Sequence, residues 1–192
     1  MIFFEKDVTP EQRKEKWLSE LSEFIVEANG KTWAADGAKV EPQRPGYKEL
    51  EYHNGLWVLR DSYTGYFRAP GMVTVYYKDT PAWAMQYGGY GQTEGHEAHA
   101  KQTFDFLKKA LMQATVGLPF RGPEEYVEGD KVYRFAMVSG GIEEGLWREE
   151  ITEKGELTFT QTGIVGIVIG KDSDRRPVYP WDFRLILFKV IL

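Results

Sequence analysis

Apolar residues recur every three or four positions after Pro10, which is the spacing of one face of an α-helix. This face consists of Trp17, Leu18, Leu21, Phe24, Ile25 and Ala28. Thr9 is a suitable N-cap, Pro10 suits the first helical position, and Gln12 stands where a capping box requires it. Because Gly30 supplies a stop signal, the pattern predicts a helix between Thr9 and Gly30.

The period then changes from helical to alternating. A polar stretch with Pro42, Pro45 and Gly46 comes first, and we interpret it as an ordered loop. Three segments beyond it are rich in aromatic and β-branched residues and are bounded by Gly or Pro, which predicts an antiparallel meander. These segments are Trp57 to Tyr63, Met72 to Tyr77 and Ala82 to Tyr87.

A second helix and a second meander are predicted in the remaining chain. The helix runs from about Ala98 to Thr115, and its buried stripe contains Phe104, Leu107, Leu111 and Ala114. The strands that follow it are Val132 to Val138, Leu146 to Ile151, Leu157 to Thr162 and Ile164 to Ile169, with Phe183 to Leu192 as a last strand. About eight strands and two main helices indicate an α+β fold.

An internal repeat links the two meanders. Tyr52, Gly55, Gly65, Gly71 and Tyr87-Gly88 recur 74 or 75 residues later as Tyr126, Gly129, Gly140, Gly145 and Thr162-Gly163. Such an offset predicts two copies of one supersecondary unit, over residues 52–88 and 126–163 of a single domain spanning 1–192. The copies could form one curved sheet or two packed sheets.

Composition excludes several classes of function. A net charge of −5 with scattered basic residues argues against binding to nucleic acid, and the absence of cysteine excludes thiolate chemistry. The apolar runs are shorter than the roughly 20 residues of a membrane helix, so we expect a cytoplasmic protein with no membrane partner. Abundant Glu and Lys with only two asparagines hint at a thermophilic source.

Five phrases in the right order resemble one family of prokaryotic domains of unknown function. They are Arg44 to Tyr52, Asp61 to Gly65, Pro81 to Gly89, Phe104 to Leu111 and Leu118 to Gly129. Domains of this family occur alone and behind the helix-turn-helix segments of XRE-type transcriptional regulators. The resemblance, over roughly residues 20–170, implies a sensing or ligand-binding role. DNA binding does not carry over, because only one helix precedes Gly30.

An aromatic-walled pocket is one interpretation of the first meander. Asp61, Tyr63, Trp83 and Tyr87 could project from one face of the sheet and offer rings with a single acid to a small molecule. The alternative is that these rings fill the core, as large rings do elsewhere.

Arg44 and Arg121 also have two interpretations. Each lies in a Pro- and Gly-bearing loop ahead of one meander. Each could fork onto a carboxylate and fix its loop, or the two could flank a cleft and contact an anionic group of a ligand.

Metal binding and catalysis find little support. His96 and His99 could share a metal with Glu94 or Glu97, but a solvated helix start accounts for them too. The pair Glu149-Glu150 is interpreted as solvated surface. No activated nucleophile is visible, so we predict no cofactor and favour binding over catalysis.

The predicted function is therefore that of a small-molecule-binding or sensing domain. The alternative is a homo-oligomeric interaction module, with a homodimer formed through the apolar strand Phe183 to Leu192. An enzyme of unknown class is a third and weaker hypothesis.

Overall fold

The computed structural model describes residues 8–37, 39–88, 93 and 95–182. Its two α-helices are α1 (Pro10–Asn29) and α2 (Ala100–Leu111). The strands of the first half are β1 (Lys39–Val40), β2 (Lys48–Asn54), β3 (Trp57–Tyr63), β4 (Gly71–Tyr77) and β5 (Thr80–Gly88). Those of the second half are β6 (Glu125–Glu128), β7 (Lys131–Gly140), β8 (Glu144–Glu153) and β9 (Glu156–Ile167), followed by β10 (Gly170–Lys171) and β11 (Pro177–Val178).

A reciprocal capping box begins α1. The Thr9 hydroxyl accepts from the Gln12 amide at 3.2 Å, and the Gln12 side chain accepts from the Thr9 amide at 2.9 Å. These two bonds satisfy donors that a helix start otherwise leaves without partners. The buried face of the helix contains Trp17, Leu21, Ser22, Phe24, Ile25 and Ala28. The predicted helix start and the predicted apolar face are thus confirmed.

The described strands form a nine-stranded antiparallel sheet in the order β1-β2-β3-β4-β5-β9-β8-β7-β6. Strands β2 to β5 form one meander and β6 to β9 form another, and the two are joined where β5 pairs with β9. Strands β10 and β11 pair separately. The α+β prediction is confirmed, and the sheet is continuous rather than split into two packed sheets.

The turns at matched places in the two meanders have matching geometry. Gly55 between β2 and β3 has φ +60°, and Gly129 between β6 and β7 has φ +61°. A left-handed backbone of this kind favours glycine, which has no Cβ to clash. Common descent of the two halves remains a prediction.

The first strand of each meander was not predicted from the sequence. Residues 48–54 and 125–128 carry many charged side chains, so they lack the apolar alternation that marks the other strands. Two further predictions differ in length, because β9 is one strand where two segments were expected and α2 ends at Leu111. The predicted strand from Phe183 to Leu192 lies outside the described residues.

Residues from both helices and from the sheet form one buried cluster. Trp17 of α1 packs on Trp57 of β3 with ring centroids 5.6 Å apart, and Phe24 stacks on the same ring at 5.6 Å. Leu107 of α2 is buried in this cluster together with Leu59 and Val73 of the sheet. No helix among the described residues is long and apolar enough to cross a bilayer.

We expect Gly163→Ala to weaken the junction between β5 and β9. An added Cβ would lie 2.2 Å from the Gln86 carbonyl oxygen and 2.4 Å from the Trp147 indole. Overpacking of this kind costs about 1–3 kcal/mol of unfolding free energy, which urea denaturation measures. The matched control is Gly166→Ala in the same strand, where the nearest atom is 3.3 Å away. Equal stability of the two variants would contradict the expectation.

Candidate ligand-binding cavity

A cavity of about 460 Å³ lies against one face of the sheet. Its other walls come from α2, from the short helical turn Trp33–Ala35, and from the connection between β3 and β4. Eight aromatic rings line it, namely Trp33, Tyr63, Tyr66, Phe67, Tyr87, Phe104, Phe120 and Phe159. Tyr66 and Phe67 are about half exposed, and Tyr66 packs edge-on against Phe104 with ring centroids 5.3 Å apart.

Asp61 and Tyr87 form the first polar group of the cavity. The Tyr87 hydroxyl donates a hydrogen bond of 2.7 Å to Oδ1 of Asp61. Burial raises the pKa of Asp61 to about 6, although the hydrogen bond from Tyr87 and the charge of Arg121 act in the opposite direction. Burial is the main cause that raises the pKa of Tyr87 well above its usual value, and the negative charge of Asp61 is the second. Tyr87 therefore stays a protonated donor.

Gly71 explains how Tyr87 reaches across the sheet to Asp61. Strand β4 separates β5, which carries Tyr87, from β3, which carries Asp61, and Gly71 pairs with both Tyr63 and Tyr87. A Cβ at this position would lie 2.4 Å from the Tyr87 hydroxyl and 2.8 Å from Cβ of Tyr63. The glycine thus leaves the space through which the phenol ring crosses β4.

Arg121 and Glu149 form the second polar group. Arg121 donates through Nε to Oε2 of Glu149 at 2.9 Å and through Nη2 to Oε1. Glu149 also accepts from the Tyr133 hydroxyl at 2.8 Å and from the Gln161 side chain. Burial lowers the pKa of Arg121, but the charge and hydrogen bonds of Glu149 outweigh it and raise the pKa. Arg121 therefore stays protonated, and the Glu149 carboxyl is its hydrogen-bonded partner.

Glu149 corrects one sequence-based interpretation. It was expected on the solvated surface beside Glu150, yet only 1% of Glu149 is exposed to solvent. Its partners across the sheet are Phe135 and Gln161, which share its face because directly paired residues project to the same side. Adjacent strand residues do point to opposite faces, and Glu150 contacts Arg148 instead, at 3.2 Å.

Four of the six predicted site residues line the cavity. Asp61, Tyr63 and Tyr87 come from the first meander, and Arg121 comes from the loop after α2. Lys108 and Asp36, which form an ion pair, also line it. The structure thus brings these four predicted residues into one cavity.

Trp83 and Arg44 are not among the lining residues. Trp83 is fully buried, its indole N–H donates to the Ile142 carbonyl at 2.8 Å, and its ring packs on Phe120. Arg44 donates to the Ser62 hydroxyl at 2.8 Å. Since Ser62 follows Asp61 in β3, it projects to the opposite face of the sheet. Arg44 therefore contacts the face of the sheet away from the cavity, through a hydroxyl where the sequence suggested a carboxylate.

Gln161 was missed, although its strand pattern contained a signal. It follows Phe159 by two residues in β9, so both project to the same face, and both are buried. Trp33 was missed for a different reason. It lies in a turn of only three helical residues, and so short a segment carries no periodic pattern.

The histidines near α2 show no metal site within the described part of the chain. His96 precedes the helical turn Glu97–His99, which leads directly into α2. No group of three or more His, Cys, Asp or Glu residues that could hold a metal occurs among the residues described. Glu94, one of the proposed ligands, lies outside them.

A family model described as "Domain of unknown function (DUF5680)" matches residues 61–168, which is more than half of the chain. The chain belongs to this family. The resemblance to a family of domains of unknown function is thereby confirmed. The matched span begins at Asp61 and includes Tyr87, Arg121, Glu149 and Gln161, so both polar groups of the cavity lie within it. Comparison with curated proteins and with solved structures found no similar chain.

We expect Asp61→Asn to stabilise the protein most at neutral pH. The pKa rises from 3.8 to about 6 on folding, so the contribution of Asp61 to stability is complete below about pH 4 and is lost as the pH rises through about 6. The amide removes that loss, so the gain of the variant over the wild type should grow by roughly 2–3 kcal/mol between about pH 4 and pH 7.5. Urea denaturation of both proteins at the two pH values measures this gain. If the difference in unfolding free energy between the two proteins were the same at both pH values, the raised pKa of Asp61 would be contradicted.

Arg121 and Glu149 should show strong energetic coupling. Arg121→Met leaves a buried carboxylate without its counter-ion and should cost about 3–5 kcal/mol of unfolding free energy. In the double variant Arg121→Met/Glu149→Gln, a neutral amide still accepts from Tyr133, so the loss should be smaller than the sum of the single losses. Denaturant unfolding of the four proteins completes the cycle. Additive losses would show that the two charges do not depend on each other.

Proposed function

We propose that this protein is a small-molecule-binding domain whose ligand occupies the cavity above β3, β4 and β5. The observation that supports this most is the combination of an enclosing aromatic wall with a few buried polar groups, within about 460 Å³. Sites for small molecules typically have this composition and a volume of roughly 300–1,000 Å³.

Binding suits these polar groups better than a reaction does. Tyr87 is held as a neutral donor on Asp61, and Arg121 is held by two hydrogen bonds to Glu149. Fixed donors and acceptors of this kind orient a bound molecule. A nucleophile, in contrast, requires an adjacent base that activates it.

A sensing role follows from the family resemblance. We propose a prokaryotic, cytoplasmic domain that responds to a ligand, within a single domain built by internal duplication. A thermophilic source also stays a prediction, drawn from composition. The alternative of a homodimer formed through Phe183 to Leu192 concerns residues outside the described ones. Sizing the protein with and without residues 183–192 would test it.

Benzyl alcohol is a suitable neutral probe for the cavity. We expect it to raise the melting temperature of the protein at millimolar concentration, because a ligand present at about ten times its Kd stabilises the folded state by about 1.4 kcal/mol. Ala34→Trp should abolish this effect, since Ala34 lines the cavity and a larger side chain would fill it.

The matched control is Ala35→Trp in the same helical turn, where the side chain is exposed and is not among the cavity-lining residues. This variant should keep the response to benzyl alcohol. If benzyl alcohol, toluene, benzylamine and phenylacetate all fail to bind the wild type, as judged by amide chemical shifts, the proposed function is wrong.

A further inference from the structure

We propose that the ligand is a protonated amine carried on an apolar or aromatic group, and that its ammonium contacts Asp61. This inference rests on the proposed function, because it concerns the chemistry of the molecule that fills the same cavity. It assigns the recognition of charge to Asp61 rather than to Arg121.

The charge balance of the buried groups points to Asp61. Arg121 is neutralised by Glu149 at hydrogen-bonding distance, and Glu149 has further donors in Tyr133 and Gln161. Asp61 accepts one hydrogen bond from the neutral Tyr87, and the ion pairs found among the described residues do not include it. When Asp61 is ionised, its buried negative charge therefore has no cation bound directly to it. The ammonium of a ligand would supply that counter-charge.

The aromatic walls suit the rest of an ammonium ligand. The faces of Trp, Tyr and Phe rings attract cations through their quadrupoles. Two of the lining rings already hold ammonium groups of the chain itself, since Nζ of Lys108 lies 5.3 Å from the Trp33 centroid and Nζ of Lys48 lies 5.6 Å from the Tyr63 centroid. The walls thus combine affinity for cations with apolar surface.

Four lysines line the cavity, namely Lys39, Lys48, Lys101 and Lys108. They weaken long-range attraction but leave the contact at Asp61 intact. Lys108 is paired with Asp36, and Lys101 is paired with Asp105 at 2.6 Å. Lys48 donates to the Gly65 carbonyl at 3.2 Å. We therefore expect selectivity to arise from direct contact with the carboxylate, with little acceleration of binding by the field of the protein.

An anionic ligand fits the same geometry less well. It would use Arg121, which the sequence suggested as an anion contact. Both Nε and Nη2 of Arg121 donate to Glu149, so an anion would compete with a carboxylate that is already buried in place. It would also lie in a cavity that contains Asp61, and the two negative charges would repel each other.

Four probes of similar shape separate these possibilities: benzylamine, benzyl alcohol, phenylacetate and toluene. We expect benzylamine to bind about tenfold more tightly than benzyl alcohol at about pH 7.5, as a charge-assisted hydrogen bond and a cation–π contact together predict. Titrations followed by amide chemical shifts give each Kd. The preference for benzylamine should decline as the pH falls below about 6, where Asp61 becomes protonated.

Asp61→Asn tests the assigned residue directly. The variant should lose the tenfold preference for benzylamine and keep its affinity for benzyl alcohol, because the amide preserves the shape of the side chain. The control Asp130→Asn makes the same change in net charge at an exposed turn between β6 and β7, and should keep the preference.

Each other outcome overturns a defined part of the proposal. Tighter binding of phenylacetate than of benzylamine would show that Arg121, and not Asp61, recognises the charge of the ligand. Equal affinity for all four probes, or a preference for benzylamine that survives in Asp61→Asn, would leave a ligand-binding cavity without the charge selection inferred here. Failure of all four probes to bind would overturn the proposed function as well.

Discussion

The pairing of β5 with β9 is the interaction on which the cavity depends. It joins the last strands of the two meanders, so residues far apart in sequence meet on one face of one sheet. Tyr87 lies directly opposite Gly163, whose missing side chain makes room for the Trp147 indole. Asp61 and Tyr87 line the cavity from one half, and Gln161 and Arg121, which Glu149 holds, line it from the other. Neither meander alone supplies both polar groups.

Glu149 and Asp61, the two buried acids on the cavity side of the sheet, differ in how many hydrogen-bond donors compensate for their burial. Glu149 accepts from a guanidinium, a phenol and an amide, so both of its carboxylate oxygens have donors. Asp61 has a single neutral donor, and its pKa is raised to about 6. The protein thus holds one carboxylate as part of its framework and leaves the other responsive to pH.

Much of the fold could be predicted from the sequence, and the reasons for each failure are physical. Strand β3 was located at its observed bounds because Trp57 to Tyr63 has the required residue types and flanking turns. Strands β2 and β6 are rich in charged residues, so periodicity gave no signal for them. Asp61, Tyr63, Tyr87 and Arg121 were placed in a site from local pattern alone. The burial of Glu149 depends on cross-strand register and on a guanidinium 28 positions away, and neither can be derived from neighbouring residues.

The bounds of the family match are narrower than the boundaries that a stable fragment of this domain requires. The match starts at Asp61, in the middle of β3, whereas α1 and β2 both lie ahead of it. A fragment limited to residues 61–168 would leave the edge of β3 without its hydrogen-bonded neighbour and would uncover the surface that Trp17, Leu21 and Phe24 protect. Such an edge invites pairing with other chains. The unit that folds is larger than the segment by which its relatives are recognised.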